Sequence, residues 1–101
     1  MATEYTPELQ KLFLEMMMQD AQSYVRVQNI YNPENFDRSI REAARFIQRH
    51  TNDHKAMPTH EQIRATTGIE LKPVPDLGEG HYDWFMAEFE GFSKRFELER
   101  A

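Results

Sequence analysis

The sequence contains no cysteine, which rules out a disulfide framework and any thiolate-held metal. That absence fits a reducing compartment, and a cytoplasmic location is the expectation. No run of about 18 apolar residues occurs, so no segment is suited to cross a bilayer as a helix, and no membrane partner is expected. The first residues do not combine a basic region with an apolar stretch, so no signal peptide is expected. Positive charge is scarce as well: 12 Lys and Arg stand against 17 Asp and Glu, a net charge of -5. A domain built to grip phosphates carries the opposite sign, so DNA contact should be weak or absent. Glycine is rare, with 4 in 101 residues. Gly78-Glu79-Gly80 is too short to cradle a phosphate, and neither a Gly-x-x-x-x-Gly-Lys-Ser/Thr loop nor a His-Glu-x-x-His zinc pattern occurs. No catalytic residue, cofactor or metal is therefore expected in this chain.

What is present suits one folded unit over residues 1–101. The chain is 40% hydrophobic and 29% charged, a balance typical of a globular domain. Met1 to Tyr5 reads as a loose end. Thr6 before Pro7 reads as an N-cap with proline at the first helical position. Leu9, Leu12, Phe13, Met16 and Met17 then recur at helical spacing, giving a first helix from about Pro7 to Gln19. Asp20 can cap a shorter second helix, through about Val27, with Tyr24, Val27 and Tyr31 on one face. Asn29 to Asn35 breaks that pattern, because Pro33 disfavours helical geometry at Asn32 and asparagine tolerates turns.

Ile40, Ala43, Ala44 and Ile47 follow Phe36 and describe a helix with a narrow, alanine-lined face that a neighbour can approach closely. It should fray near Asn52. Thr59 and Gln62 form a capping box after Pro58, and Gly68 stops the short helix they start. Ile69 and Leu71 should tuck in below it. Lys72 to Gly80 should be an irregular loop, since it carries Pro73, Pro75, Gly78 and Gly80. From Gly80 or His81 a last helix carries Phe85, Phe89, Phe92 and Phe96 at steps of 4, 3 and 4. Its apolar pattern has not ended by Ala101, so the helix should be truncated there. No alternating strand pattern occurs. The fold expected is all-α, a compact bundle of about five helices.

Several constellations look chemical but are incomplete in the sequence. His50 and His54 have the i, i+4 spacing of two imidazoles on one metal, yet no patterned acid or third ligand accompanies them. Glu88/Glu90 and Glu97/Glu99 lie two apart, so each pair points to different sides of a helix. The long and short helices from Arg38 to Thr67 suggest a helix-turn-helix, with Arg64 reaching a base. The Asn52–Pro58 link is long for that motif, but a small DNA-binding regulator stays as the alternative reading. The last helix is instead a candidate assembly element. Trp84, Phe85 and Phe89 should be core. Phe92, Phe96 and Leu98 should reach a neighbouring element or chain. The Met16-Met17-Met18 run is mainly core by its spacing. Met16 and Met18 remain candidate interface residues because methionine adapts to varied partners.

Taken in order, the motifs resemble the N-terminal domain of DnaB-type replicative DNA helicases, particularly phage-encoded ones. Glu8-Leu9-Gln10, Leu14, Met17-Met18 and Asp20 look like that domain's opening helix. Asn32-Pro33-Glu34-Asn35-Phe36 resembles its x-Pro-Glu-x-Phe corner, and Arg41 to His50 the helix that follows. Met57-Pro58-Thr59 with Ile63 resembles its next helix start. His81 to Arg100, with Phe92, Arg95 and Leu98, looks like the helix leading into its hairpin. The resemblance implies a non-catalytic domain of an ATP-dependent hexameric helicase, active in DNA replication within the primosome. Such a domain mediates self-association of helicase subunits and docks primase or a helicase loader. ATP and Mg are implied only for a motor domain whose motifs are missing here.

Overall fold

Side-chain caps, set at the expected places, divide this chain into helices. The computed structural model describes residues 5–74 and 79–100. The expectations for Met1–Glu4, for the Pro75–Gly78 part of the loop and for Ala101 lie outside them. α1 spans Pro7–Gln19, α2 Ala21–Val27, α3 Arg38–His54, α4 His60–Thr67 and α5 Glu79–Arg100, and no strand occurs among the described residues. Thr6 accepts a hydrogen bond from the Leu9 amide at 3.2 Å, with Pro7 at the first helical position. Asp20 adopts an extended backbone, so α1 stops there. Its carboxylate then caps α2 by accepting from the Gln22 amide at 3.2 Å. One residue thus ends one helix and starts the next.

The Asn29–Asn35 break is two 3₁₀ turns, Gln28–Ile30 and Pro33–Asn35. Asn32 is extended, as the following proline requires, and its side chain accepts from the Glu34 amide at 3.0 Å. Asp37 caps α3 by accepting from the Ser39 amide at 2.9 Å and the Ser39 hydroxyl at 2.6 Å. Those hydrogen bonds, the hydroxyl's first, hold the Asp37 carboxyl below its ordinary pKa. A lowered pKa contributes stability above the unfolded value of about 3.9, which is lost as pH falls through the folded value. Asp37→Ala should therefore cost about 1 kcal/mol at pH 7. Its gap from wild type should narrow below about pH 4, as read by urea unfolding.

α3 runs two residues past the expected fraying at Asn52. The Lys55 amide bonds the Thr51 carbonyl at 2.9 Å, and Lys55 turns left-handed at φ 55° to end the helix. Both halves of the capping box before α4 are made, at 2.8 and 3.1 Å, and Gly68 ends that helix at φ 78°. A left-handed residue is cheap only for glycine. α5 begins at Glu79, slightly earlier than expected, so Gly80 belongs to the helix.

The core joins α1, α2, α3 and α5. Phe13, Leu14, Met17, Val27, Ala43, Ala44, Ile47, Phe85, Phe89 and Phe92 are all fully buried. Leu14 and Gln10, outside the apolar stripe read for α1, face inward too. Phe13 meets Phe85, Phe89 and Phe92 with ring centres 5.5–5.8 Å apart. Leu71 is buried and Ile69 packs partly against the core, as expected.

Two expectations need correction. Tyr5 is no loose end: its ring lies 5.5 Å from Phe92, and its carbonyl accepts from Gln10. Trp84 is not core, being 42% exposed. It stands one residue, about 100° of helical turn, away from the Phe85 stripe.

Candidate protein-interaction surface

The Asn32–Asp37 corner fixes how α5 lies against the rest of the chain. Asn32 and Asn35 both donate from Nδ2 to Oε1 of Glu97, at 3.1 and 3.2 Å. Glu34 pairs with Arg45 of α3, which also pairs with Glu42 at 2.5 Å. Phe36 enters the core between Phe89 and Phe92, with ring centres 6.2 and 5.1 Å away. Tyr31, just upstream, donates its phenol to the Ala44 carbonyl at 2.5 Å. Burial pushes that phenol well above its usual pKa, so it stays a donor. Ser93 adds a bond to the Ile30 carbonyl at 3.2 Å. The corner therefore sets both the depth and the rotation of α5.

That rotation decides which candidate interface residues reach solvent. Phe92 is fully buried, and Met16, 1% exposed, shows almost no surface. Phe92 lies on the inner stripe with Phe89, and Met16 on the inward face of α1. Phe96 is half-buried, its ring 5.1 Å from Phe92 and 6.4 Å from Tyr5. Met18 is half-buried against the core. Leu98 is 77% exposed, because two residues beyond Phe96 is about 200° around the helix.

No protein-family model, curated protein or solved structure matches the chain.

Leu98 forms one end of an open groove of about 880 Å³ between the α2 side and α5. Ile30 and Met86 give it an apolar floor, while Arg26, Glu90 and Lys94 supply charge. Lys94 and Glu90 pair across one helical turn at 3.0 Å. Such exposed pairs contribute little to stability and re-pair readily. Val25, 55% exposed, lies on the outer side of α2. A smaller apolar recess of about 350 Å³ lies on the α1 side, lined by Leu12, Met16, His81 and Trp84.

Sequence reading missed this groove. Ile30 sits in a 3₁₀ turn and Met86 beside the phenylalanine stripe, so neither falls on a helical periodicity. Of the groove's lining, Leu98 alone was singled out from the sequence as a candidate contact. The α3–α4 pair also departs from helix-turn-helix spacing. Five residues, Lys55 to Thr59, separate the helices, against the usual three or four. Arg64 is exposed on α4. Among the described residues, no three His, Asp or Glu side chains converge as metal ligands, and no helix is long and apolar enough to cross a membrane.

Proposed function

We propose that this is a non-catalytic helical domain of a DnaB-type replicative helicase, acting by presenting surfaces for subunit assembly and for primase or a loader. The ordered motif resemblance supplies the family in this reading. The observation that carries the docking role is the Leu98-ended groove, an open, mainly apolar surface whose charged rim suits a polar-rimmed protein contact. The resembling Asn-Pro-Glu-Asn-Phe corner supports it indirectly, since that corner turns Leu98 outward.

Two measurements test the reading together. The gene downstream of codon 101 should encode a hinge segment and then a Gly-x-x-x-x-Gly-Lys-Ser/Thr loop. A stop codon directly after Ala101 would overturn the helicase assignment. Leu98→Asp should weaken self-association or partner binding, seen by light scattering, with an unfolding midpoint within about 0.5 kcal/mol of wild type. Phe96→Asp is a poorer probe, because it also removes contacts to Phe92 and Tyr5. Sub-micromolar, steeply salt-dependent binding to duplex DNA would favour the small-regulator alternative.

A further inference from the structure

We propose that His50 and His54, on the last turns of α3, form a two-imidazole site for a divalent transition-metal ion such as copper, nickel or zinc. The two rings lie with centres 4.6 Å apart and planes inclined by 52°. With metal–nitrogen bonds of about 2.0 Å, imidazoles on adjacent coordination positions place their centres about 4.5–5 Å apart. The observed spacing falls within that range, so the two rings can reach one ion without moving the backbone.

A second observation aims the first ring. His50 Nδ1 lies 2.9 Å from the Ala56 carbonyl oxygen. A carbonyl only accepts, so Nδ1 carries the hydrogen, and the neutral ring then presents its lone pair at Nε2. This is the arrangement of metal-binding histidines, whose second nitrogen donates to a backbone or carboxylate oxygen. Phe46 packs edge-on against the same ring at 5.6 Å and restricts its rotation. His54 is exposed, with its ring against that of His50. It is also the final residue of α3, where the partial negative charge of unpaired carbonyls favours a cation.

Arg49 and Lys55, the basic neighbours in sequence, oppose the ion, and Asp53 partly offsets them. No third ligand joins among the described residues, so water would complete the coordination. The site should accordingly follow ligand chemistry: copper tightest, nickel and zinc weaker, and magnesium not competing. Because Ala56 holds His50, a bound ion would also tie the end of α3 to the link before α4.

Calorimetric titration of the full chain with copper, nickel, zinc and magnesium chlorides at pH 7.5 tests this. One ion per chain is expected, in the order stated. His54→Gln, at an exposed position that should not disturb folding, and His50→Ala should each weaken binding at least about tenfold, the change that loss of even an outer partner makes. His60→Ala and His81→Ala should leave it unchanged. Copper should selectively broaden the ring signals of His50 and His54 in NMR spectra. Unchanged affinity in His54→Gln, loss only in the His60 or His81 variant, or no binding of any of these ions would each overturn the proposal.

Discussion

Phe89→Ala should destabilise the domain by about 3–5 kcal/mol, read from the denaturant midpoint. Phe89 is fully buried, and its ring contacts join α5 to α1, to Tyr31 and to the corner. Phe13 of α1 lies 5.5 Å away, Tyr31 6.3 Å, Phe36 6.2 Å, and Phe85 and Phe92 of α5 lie at 5.5 and 5.7 Å. Alanine would remove all five aromatic contacts and leave a void between rings too rigid to refill it. A domain of this size has about 5–15 kcal/mol in total, so the variant should be marginally folded. Trp84→Ala removes a larger side chain, yet should cost clearly less, because Trp84 is 42% exposed and meets only the edge of the core. Equal losses in the two variants, or a Phe89 loss under about 1 kcal/mol, would show that α5 is not seated as described.

The contrast between Phe89 and Trp84 marks how far the sequence could be read. Local signals act within a few residues, and they placed the elements well. Thr6-Pro7, Asp20, Thr59 with Gln62, and Gly68 each set a helix end where expected. Five helices and the absence of strands among the described residues follow from the same periodicities. Rotation of each helix was less legible, because it depends on contacts distant in sequence. Phe92 was expected to reach a neighbouring element or chain, and it reaches neighbouring elements of its own chain. It is fully buried because Tyr5 and Phe36 close over it from both sides. Neither contact leaves a trace in the spacing of α5. Met16 was similarly ambiguous, since a stripe two residues wide can sit on either flank of its own axis. The surface groove was illegible for a further reason. Its walls come from α2, a 3₁₀ turn and α5, and they are brought together by bonds distant in sequence: those of Asn32 and Asn35 to Glu97, 65 and 62 residues away, and that of Ser93 to Ile30, 63 residues away.

Gln10 shows the same limit in a single residue, and it should be the most sensitive polar position in the chain. It is only 3% exposed. Its Nε2 donates to the Tyr5 carbonyl at 2.7 Å, and its Oε1 accepts from the Asp37 amide at 2.6 Å. One side chain thereby ties the entry of α1 to the cap of α3. It also holds Tyr5 over α5, where Gly91 leaves room: a Cβ there would stand 2.6 Å from the Tyr5 hydroxyl. Gln10→Leu keeps the bulk and removes both bonds. Each buried group left unpaired costs about 1–3 kcal/mol, less for the Tyr5 carbonyl at the edge of the fold, so a total loss of about 2–3 kcal/mol is expected. Gln10→Glu should make the effect depend on pH. Protonated, it reproduces both bonds. Ionised, it has no hydrogen for the Tyr5 carbonyl and sets a negative charge near the Asp37 carboxylate. The introduced carboxyl is therefore raised above its unfolded value of about 4.3 in the folded state. Its contribution is fully present below that value and is lost as pH rises through the raised one. Urea unfolding should place this variant near wild type at about pH 4 and near Gln10→Leu at pH 7. Measuring the gap from wild type cancels the opposite trend of Asp37, which both proteins share. A gap that stays constant between those pH values would mean that Tyr5 and Asp37 are not joined through this side chain.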